Sequence, residues 1–210
     1  MTGQAFKARL AERLRFHGVA SLSGAQEDAL WAYFSILSQW NHRINLTGFD
    51  LLDPTDAAFD RLLTEPIFAA RCLTRQPRRM IDIGSGGGSP GIPVAIITGV
   101  TETVLVESRS RKAVFLKEAL RASGIPASEV VTRRFQELPT EPQFFERFDL
   151  VTLRAVKLNL RDWEAIAMFL GPTGVFLHLG EAGANPTGHA LELENTWKCG
   201  TIGPVTAYRR

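Results

Sequence analysis

The sequence predicts an α/β protein with a doubly wound, mostly parallel sheet and an N-terminal helical cap. Short apolar runs typical of buried strands recur in the second part of the chain, amphipathic stretches separate them, and a glycine-rich turn follows the first run. Strands that alternate with helices of this length form βαβ units, in which right-handed crossovers join parallel strands. We expect residues 1–74 to form the cap and residues 75–210 the sheet domain, packed as one compact unit.

Two amphipathic patterns predict the helices of the cap. Ser23 and Gln26 make a capping-box pattern that begins a long helix over about 24–45. A second apolar stripe covers 59–73, and we expect Pro66 to bend or split this helix because proline cannot donate a backbone hydrogen bond.

The predicted strands are short and apolar, as strands buried on both faces are. Helical periodicity lies between them, notably over 111–122 and 160–170. The final segment, 195–210, predicts a hairpin around Gly203 and Pro204. The strands are centred on residues 80–83, 104–106, 130–131, 149–152 and 175–179.

Composition and charge exclude several classes of protein. The 210 residues are 45% hydrophobic and 22% charged, which is typical of globular chains and not of disordered, collagen-like or coiled-coil chains. The net charge of +2 neither identifies nor excludes a nucleic-acid binder. The longest apolar stretch, Ile92 to Val100, is far shorter than the roughly 20 residues of a membrane span. The N-terminus lacks the apolar region of a secretory signal, so we expect a cytoplasmic protein with no membrane partner.

The glycine-rich turn after the first strand is the strongest functional signal. In an open parallel sheet a nucleotide-like ligand approaches the backbone at this turn, and glycine is needed because a Cβ would block that approach. An acidic-x-Gly-x-Gly-x-Gly register fits fully as Asp82, Gly84, Gly86 and Gly88. A dinucleotide fingerprint that begins at Gly84 would instead need glycine where Ser89 stands.

An acidic residue follows the turn at the distance expected for an adenosine site. Glu107 lies 25 residues beyond Asp82, at the end of the second strand, where its carboxylate can accept hydrogen bonds from both ribose hydroxyls. The register formed by Asp82, Gly84, Gly86 and Gly88 resembles motif I of S-adenosylmethionine-dependent methyltransferases. A flexible surface loop and a nicotinamide site are the alternatives that these residues leave open.

Positive side chains follow the predicted strands at the edge where such sheets bind ligands. In a chain of nearly neutral charge, this basic rim is expected if the second substrate is a polyanion, and it favours a nucleic acid. The eight residues of the rim are Arg109, Arg111, Lys112, Arg133, Arg134, Arg154, Lys157 and Arg161.

Other chemistries lack their essential groups. Neither the Gly-x-Ser-x-Gly turn of acyl hydrolases nor the Gly-Lys-Ser/Thr of phosphate-binding loops occurs. Cys72 and Cys199 have no zinc or redox spacing and the four histidines are scattered, so we expect no metal site.

Five separated stretches between about residues 25 and 180 point to one family. The most specific are WNHRINLT at 40–47 and DIGSGGGSPGIP at 82–93, and the others lie within 107–116, 134–138 and 149–156. Together they resemble the RsmG family, also called GidB, bacterial methyltransferases that modify N7 of a guanine in 16S ribosomal RNA.

The resemblance implies a class I, Rossmann-like methyltransferase fold that uses S-adenosyl-L-methionine, with 16S ribosomal RNA or the small ribosomal subunit as partner. We expect Phe135 and Gln136 to hold the adenine and Arg154 to meet the cofactor carboxylate or an RNA phosphate. No catalytic residue is expected, because N7 of guanine carries a free lone pair and needs no general base. We also expect a monomer. The resemblance places cofactor contacts on Gly84, Ser89, Phe135, Gln136 and Arg154, and the strand geometry adds Gly86 and Glu107.

The chain departs from the family pattern at several positions. The family usually has Arg-His-x-x-Asp-Ser where this chain has RLLTEP at 61–66, so Leu62 replaces the histidine and Glu65 the aspartate. Gln136 stands where an acid is common, and no lysine precedes Gly180. The alternatives are a methyltransferase for another nucleic acid or a small molecule, and a nucleotide- or RNA-binding protein without catalytic activity.

Overall fold

The computed structural model describes residues 1–125, 127–180, 190–200 and 202–210. A π-helical segment, Asp60–Thr64, precedes α4, and a short 3-10 helix spans Phe135–Glu137. The α-helices are α1 (Gly3–Phe16), α2 (Gly24–Asn41), α3 (Asp56–Phe59), α4 (Glu65–Arg71), α5 (Gly91–Thr98), α6 (Ser110–Ala122) and α7 (Leu160–Phe169). The strands are β1 (Arg79–Ile83), β2 (Glu102–Val106), β3 (Ser128–Val131), β4 (Phe148–Arg154), β5 (Leu170–Leu179), β6 (Glu192–Cys199) and β7 (Ile202–Arg209).

These strands form one sheet in the order β3-β2-β1-β4-β5-β7-β6. The first five strands pair in parallel, whereas β7 is antiparallel to both β5 and β6. The strand order reverses between β1 and β4, and open α/β sheets bind ligands at the carboxyl ends of strands at such a point. The predicted doubly wound, mostly parallel sheet is confirmed.

Helices cover both faces of the sheet because its central strands are apolar on both sides. Met80 of β1 joins a buried cluster with residues of α1, α2, α4, α5 and α6. Ile81 and Ile83 point the other way and pack in a second cluster with Trp163 of α7 and Phe135 of the 3-10 helix. Successive side chains of β1 therefore pack against helices on opposite faces of the sheet.

The N-terminal helices pack in the same cluster as the first face of the sheet. Phe6 of α1, Phe34 of α2 and Phe59 of α3 form a ring triangle with centroids 5.1 to 5.5 Å apart. These rings belong to the cluster that contains Leu105 of β2. Apolar contacts thus join the helices before residue 74 to the sheet. None of the described helices is both long and apolar enough to cross a bilayer.

The second predicted helix stays helical through Pro66, but a π-helical segment before this proline leaves two carbonyl groups without helical partners. The amide of Glu65 bonds to the carbonyl of Asp60, five residues back, and Pro66 has no N–H. In an α-helix these two amides would bond to the carbonyls of Arg61 and Leu62. Both carbonyls therefore accept hydrogen bonds from elsewhere, as described below.

Helix α2 ends four residues earlier than predicted because the side chain of Asn41 folds the following loop. Its Oδ1 accepts hydrogen bonds from the amides of Leu46 and Thr47, both at 3.0 Å. Its Nδ2 donates to the carbonyl of Phe49. Asparagine competes in this way with the helical hydrogen bonds of the backbone.

The C-terminal hairpin exists, but the predicted position of its turn is wrong. Gly203 and Pro204 lie inside β7, and the turn falls near Gly200, whose φ is +53°. Strand β7 begins at Ile202, beside the end of β6, and the carbonyl of Pro204 accepts the N–H of Gly180 at 2.9 Å. Proline is tolerated there because only its carbonyl is needed.

Candidate active site

The glycine-rich loop joins β1 to α5 at the reversal of strand order. Gly84, Gly86 and Gly88 have φ values of +68°, +52° and +85°, a region that side chains with a Cβ rarely occupy. A Cβ on Gly91, at the start of α5, would stand 2.6 Å from the carboxyl carbon of Asp82. The sequence pattern thus reflects both backbone conformation and close packing.

The cap helices hold the outer side of this loop. The buried hydroxyl of Tyr33 donates a hydrogen bond to the carbonyl of Gly87 at 2.7 Å. A Cβ on Gly87 would lie 3.0 Å from the carbonyl oxygen of Leu46. Burial raises the pKa of Tyr33, so this hydroxyl remains a donor at neutral pH. The stretches 40–47 and 82–93 are therefore neighbours in the structure.

Glu107 holds the inner side of the loop, as its position at the end of β2 suggests. Its Oε2 accepts the N–H of Gly86 at 3.0 Å, and its Oε1 accepts the N–H of Arg109 at 2.8 Å. A carboxylate has about four acceptor positions, so roughly two remain for a ligand.

A cleft opens beside this carboxylate and brings together four of the seven predicted cofactor-binding residues, namely Gly84, Glu107, Phe135 and Gln136. Gly84 is exposed there, and Val156 contributes an apolar wall. The ring of Phe135 packs into the core beneath the cleft. The Nε2 of Gln136 donates to Oδ1 of Asp162 at 2.8 Å, which fixes the amide against the start of α7. Gly86, the fifth predicted residue, adjoins the cleft through its bond to Glu107.

Ser89 and Arg154, the remaining two predicted residues, lie at the other end of the loop and contact each other. The Oγ of Ser89 donates to the carbonyl of Leu62 at 2.7 Å. The Nη2 of Arg154 donates to the carbonyl of Ser89 at 2.9 Å, and its Nη1 donates to the carbonyl of Arg61. The two carbonyls freed by the π-helical segment and Pro66 thus bind this end of the loop. Short π-helical segments frequently occur at functional sites.

Arg154 also forms a buried ion pair. Its Nη1 lies 3.0 Å from Oε2 of Glu65, and the side chains are 8% and 0% exposed. Glu65 accepts a second charged partner, Arg61, with 2.8 Å between Nη1 and Oε1. Burial lowers the pKa of Arg154, and the carboxylate of Glu65 opposes this effect.

A second buried carboxyl lies beneath the loop. Asp82 accepts a hydrogen bond from the hydroxyl of Thr152 through Oδ1 at 2.6 Å, whereas Oδ2 has no hydrogen-bond partner among the residues that the structure describes. Burial raises the pKa of Asp82 to about 6, although Thr152 and the charge of Arg154 favour ionisation. The acid of the motif therefore titrates near the physiological range.

The side chains of the predicted basic rim have different surroundings in the structure. Arg154 is buried and pairs with Glu65, so it lies apart from the exposed members of the rim. Arg133 pairs with Glu137 and Glu141, which offset its charge. Three other members share one groove, at the start of α6, and they are Arg109, Arg111 and Lys112. Among the residues that the structure describes, no cluster of three or more His, Cys, Asp or Glu side chains could hold a metal ion.

Sequence reasoning missed two residues that shape the site. Tyr33 lies on the apolar stripe of α2, and its neighbours on that stripe are hydrocarbon side chains. A buried tyrosine hydroxyl usually has a hydrogen-bond partner, and this was the available signal. For Glu65 the available signal is its position four residues after Arg61, which is the spacing of a helical ion pair.

Comparison with known proteins decides the family. A family model described as rRNA small subunit methyltransferase G (GidB) matches residues 26–198. The chain belongs to this family.

Curated relatives of the rRNA small subunit methyltransferase G family match along most of their length. The protein named ribosomal RNA small subunit methyltransferase G from Dictyoglomus thermophilum is 31% identical over 191 residues, which cover 89% of this chain and 75% of the relative. A protein of the same name from Rhodospirillum rubrum is 36% identical over 174 residues, which cover 81% of this chain and 79% of the relative.

Solved structures that resemble this chain show its fold. The chain resembles a SAM-dependent methyltransferase from Aquifex aeolicus with a TM-score of 0.57, over 72% of this chain and 92% of the other. At 9% sequence identity, this likeness establishes the Rossmann-like methyltransferase fold alone.

Proposed function

We propose that this protein transfers a methyl group from S-adenosyl-L-methionine to N7 of a guanine in the 16S ribosomal RNA of the small subunit. The observation that carries the proposal is the cleft beside Gly84 and Glu107, at the strand-order reversal of a chain that belongs to the rRNA small subunit methyltransferase G family. We further propose that the protein acts in the cytoplasm as a monomer, where the small subunit or its RNA is the partner.

The residues of the cleft fit an adenosyl cofactor. Glu107 has acceptor capacity left for two ribose hydroxyls after it bonds to Gly86 and Arg109. Ile83, Val106 and Val156 supply apolar walls of the kind that cover an adenine ring. Gln136 keeps its carbonyl oxygen as an acceptor while its nitrogen donates to Asp162.

Ser89 and Arg154 fit a positioning role in this proposal. Their polar groups bond to the π-helical segment and to each other, so they hold the far end of the glycine-rich loop in one conformation. Gly86 contributes through its backbone, which Glu107 orients. A loop fixed at both ends offers its ligand a surface that needs little reorganisation on binding.

The chemistry requires positioning more than proton transfer. S-adenosyl-L-methionine supplies a methyl group that its sulfonium activates for attack by a nucleophile. N7 of guanine carries an in-plane lone pair, so the chain needs no general base. Orientation of two reactants can contribute about 7–11 kcal/mol at best, which suits a site rich in backbone and apolar contacts. The role of this chain is then to orient the two reactants and exclude water.

Methyl transfer to ribosomal RNA tests the proposal. Small subunits and 16S RNA from a strain that lacks the enzyme are incubated with tritiated S-adenosyl-L-methionine, and mass mapping locates the modified base. We expect one N7-methylguanine per RNA. No incorporation into either substrate, or incorporation only into a small molecule with no dependence on salt, would contradict the proposal.

A matched pair of variants tests the cofactor site. Glu107→Gln should weaken binding of S-adenosylhomocysteine on the order of tenfold to a hundredfold, because hydrogen bonds to a charged group contribute about 1.5–3 kcal/mol. Glu102→Gln removes a partly exposed carboxylate at the opposite end of the same strand and should leave binding unchanged. Equal affinities for the two variants would exclude Glu107 from the site.

A further inference from the structure

Four positive side chains line a groove between the loop after α2 and the start of α6. The loop contributes Arg43 and the helix contributes Arg109, Arg111 and Lys112. Arg43, Arg109 and Arg111 are exposed, and the groove has a volume of about 560 Å³. Two separate parts of the fold thus place their charge on one surface.

None of these four cations pairs with a carboxylate among the residues that the structure describes. The first turn of α6 has no acidic residue either. The carboxylate of Glu107, two residues before Arg109, bonds to backbone amides instead. Clustered cations repel one another, so a surface that leaves them without counter-charges is suited to a polyanion.

The groove has a fixed shape because both of its sides are anchored. The side chain of Asn41 bonds to the amides of Leu46 and Thr47 and so holds the loop that carries Arg43. The indole nitrogen of Trp40 donates to Oε2 of Glu118 at 2.9 Å, which ties the end of α2 to α6. Charges on a rigid scaffold lose little conformational freedom when an anion binds.

The groove continues into the cleft proposed for the cofactor. Ser108 lines both, between Glu107 on one side and Arg109 on the other. Because Oε1 of Glu107 accepts the amide of Arg109 while Oε2 accepts that of Gly86, one carboxylate connects the two surfaces. An RNA strand that lies in the groove therefore passes beside the cleft.

We propose that this groove binds the phosphate backbone of the RNA segment that carries the target base, with Arg43, Arg109, Arg111 and Lys112 as the phosphate contacts. The inference rests on the proposed function, because it takes RNA as the substrate. The helical cap is then part of the RNA-binding surface as well as a support for the glycine-rich loop.

The salt dependence of RNA binding tests this groove. The probe is a 16S RNA transcript, and its affinity is measured by filter binding across a series of KCl concentrations for the wild-type chain and for the triple variant Arg43→Ala, Arg109→Ala, Arg111→Ala. Each lost phosphate contact lowers the slope of log K against log salt by about 0.7 to 0.9, so we expect a slope smaller by roughly 2 to 3. The single variant Arg43→Gln should lower it by about 1.

Arg121→Ala is the matched control, because it removes one exposed cation from the same helix about 15 Å along its axis. Its slope should equal that of the wild-type chain. Thermal melting with S-adenosylhomocysteine checks each variant for folding and for an intact cofactor site. A triple variant that is folded, binds this ligand and keeps the wild-type slope would overturn the proposal that the groove binds the RNA backbone. An equal loss in Arg121→Ala would also overturn it.

The outcomes separate this inference from the proposed function. If the wild-type chain methylates the RNA but the groove variants bind it with an unchanged slope, the proposed function is supported and the proposal that the groove binds RNA is wrong. If the wild-type chain transfers no methyl group but the triple variant still loses the expected slope, the groove stands as an RNA-binding surface and the proposed activity is wrong.

Discussion

The guanidinium of Arg154, at the end of β4, and the carboxylate of Glu65, at the start of α4, form an ion pair from which solvent is almost excluded, with 3.0 Å between Nη1 and Oε2. Arg154 also bonds to the carbonyl of Ser89, so the pair connects the glycine-rich loop to the helical segment that contains Pro66.

Glu65→Gln should strongly destabilise the protein. The substitution leaves the buried charge of Arg154 without its carboxylate, and breaking one partner of a buried pair costs roughly 3–5 kcal/mol. Urea unfolding measures the change in the free energy of unfolding. Glu137→Gln, in the exposed pair with Arg133, is the control and should change little. The double variant Glu65→Leu, Arg154→Met should lose less stability than the sum of its single variants, and strict additivity would show that the pair is not coupled.

Asp82 should make the free energy of unfolding fall as pH rises between about 4 and 6. Its pKa is raised from 3.8 to about 6 by burial, so the folded chain holds a proton in this interval that the unfolded chain has released. Two pKa units correspond to roughly 3 kcal/mol. Asp82→Asn should remove this fall, which urea unfolding at several pH values measures.

Two comparisons isolate the effect of Asp82. Burial lowers the pKa of His178, which acts with the opposite sign, and subtracting the two pH profiles cancels its contribution. Asp53→Asn, at an exposed position, controls for the loss of one carboxylate. If the profiles of Asp82→Asn and the wild-type chain are parallel from pH 4 to 6, the carboxyl is not protonated in the fold.

Gly91→Ala should destabilise the protein and weaken cofactor binding. The new Cβ would stand 2.6 Å from the carboxyl carbon of Asp82, which is buried and bonded to Thr152 and cannot easily move. Overpacking of this kind typically costs about 1–3 kcal/mol. Gly24→Ala, in the first turn of α2, is the matched control, because its Cβ meets nothing within 4 Å and it should stabilise slightly. Equal melting temperatures for the two variants would contradict the predicted clash.

Tyr33→Phe should loosen the glycine-rich loop without disturbing the core. The substitution removes the hydrogen bond to the carbonyl of Gly87, which contributes about 1 kcal/mol, and keeps the ring. Isothermal titration should show weaker binding of S-adenosylhomocysteine. Tyr208→Phe is the control, since that hydroxyl makes no hydrogen bond within the described part of the chain, and ligand binding should be unchanged. If both variants bind equally, the cap does not support the loop.

The parts of the site that were predictable depend on local sequence. Gly84, Gly86 and Gly88 need positive φ values, and this need follows from the turn between β1 and α5 alone. Glu107 could be placed because parallel strands bring their carboxyl ends to one edge. The direction of a long side chain was not predictable in this way. Arg154 leaves its strand at the predicted edge but turns toward Glu65, which is 89 residues away in sequence.

The sequence by itself determined the alternation of apolar strands and helices, the glycine register and the family. It could do so because periodicity and backbone conformation are properties of neighbouring residues. Only the tertiary structure decided which cations remain available to a ligand. Arg154 is neutralised by a distant carboxylate, whereas Arg43 and Arg111 come together without one. Electrostatic interactions depend on distances in space, and the fold sets those distances.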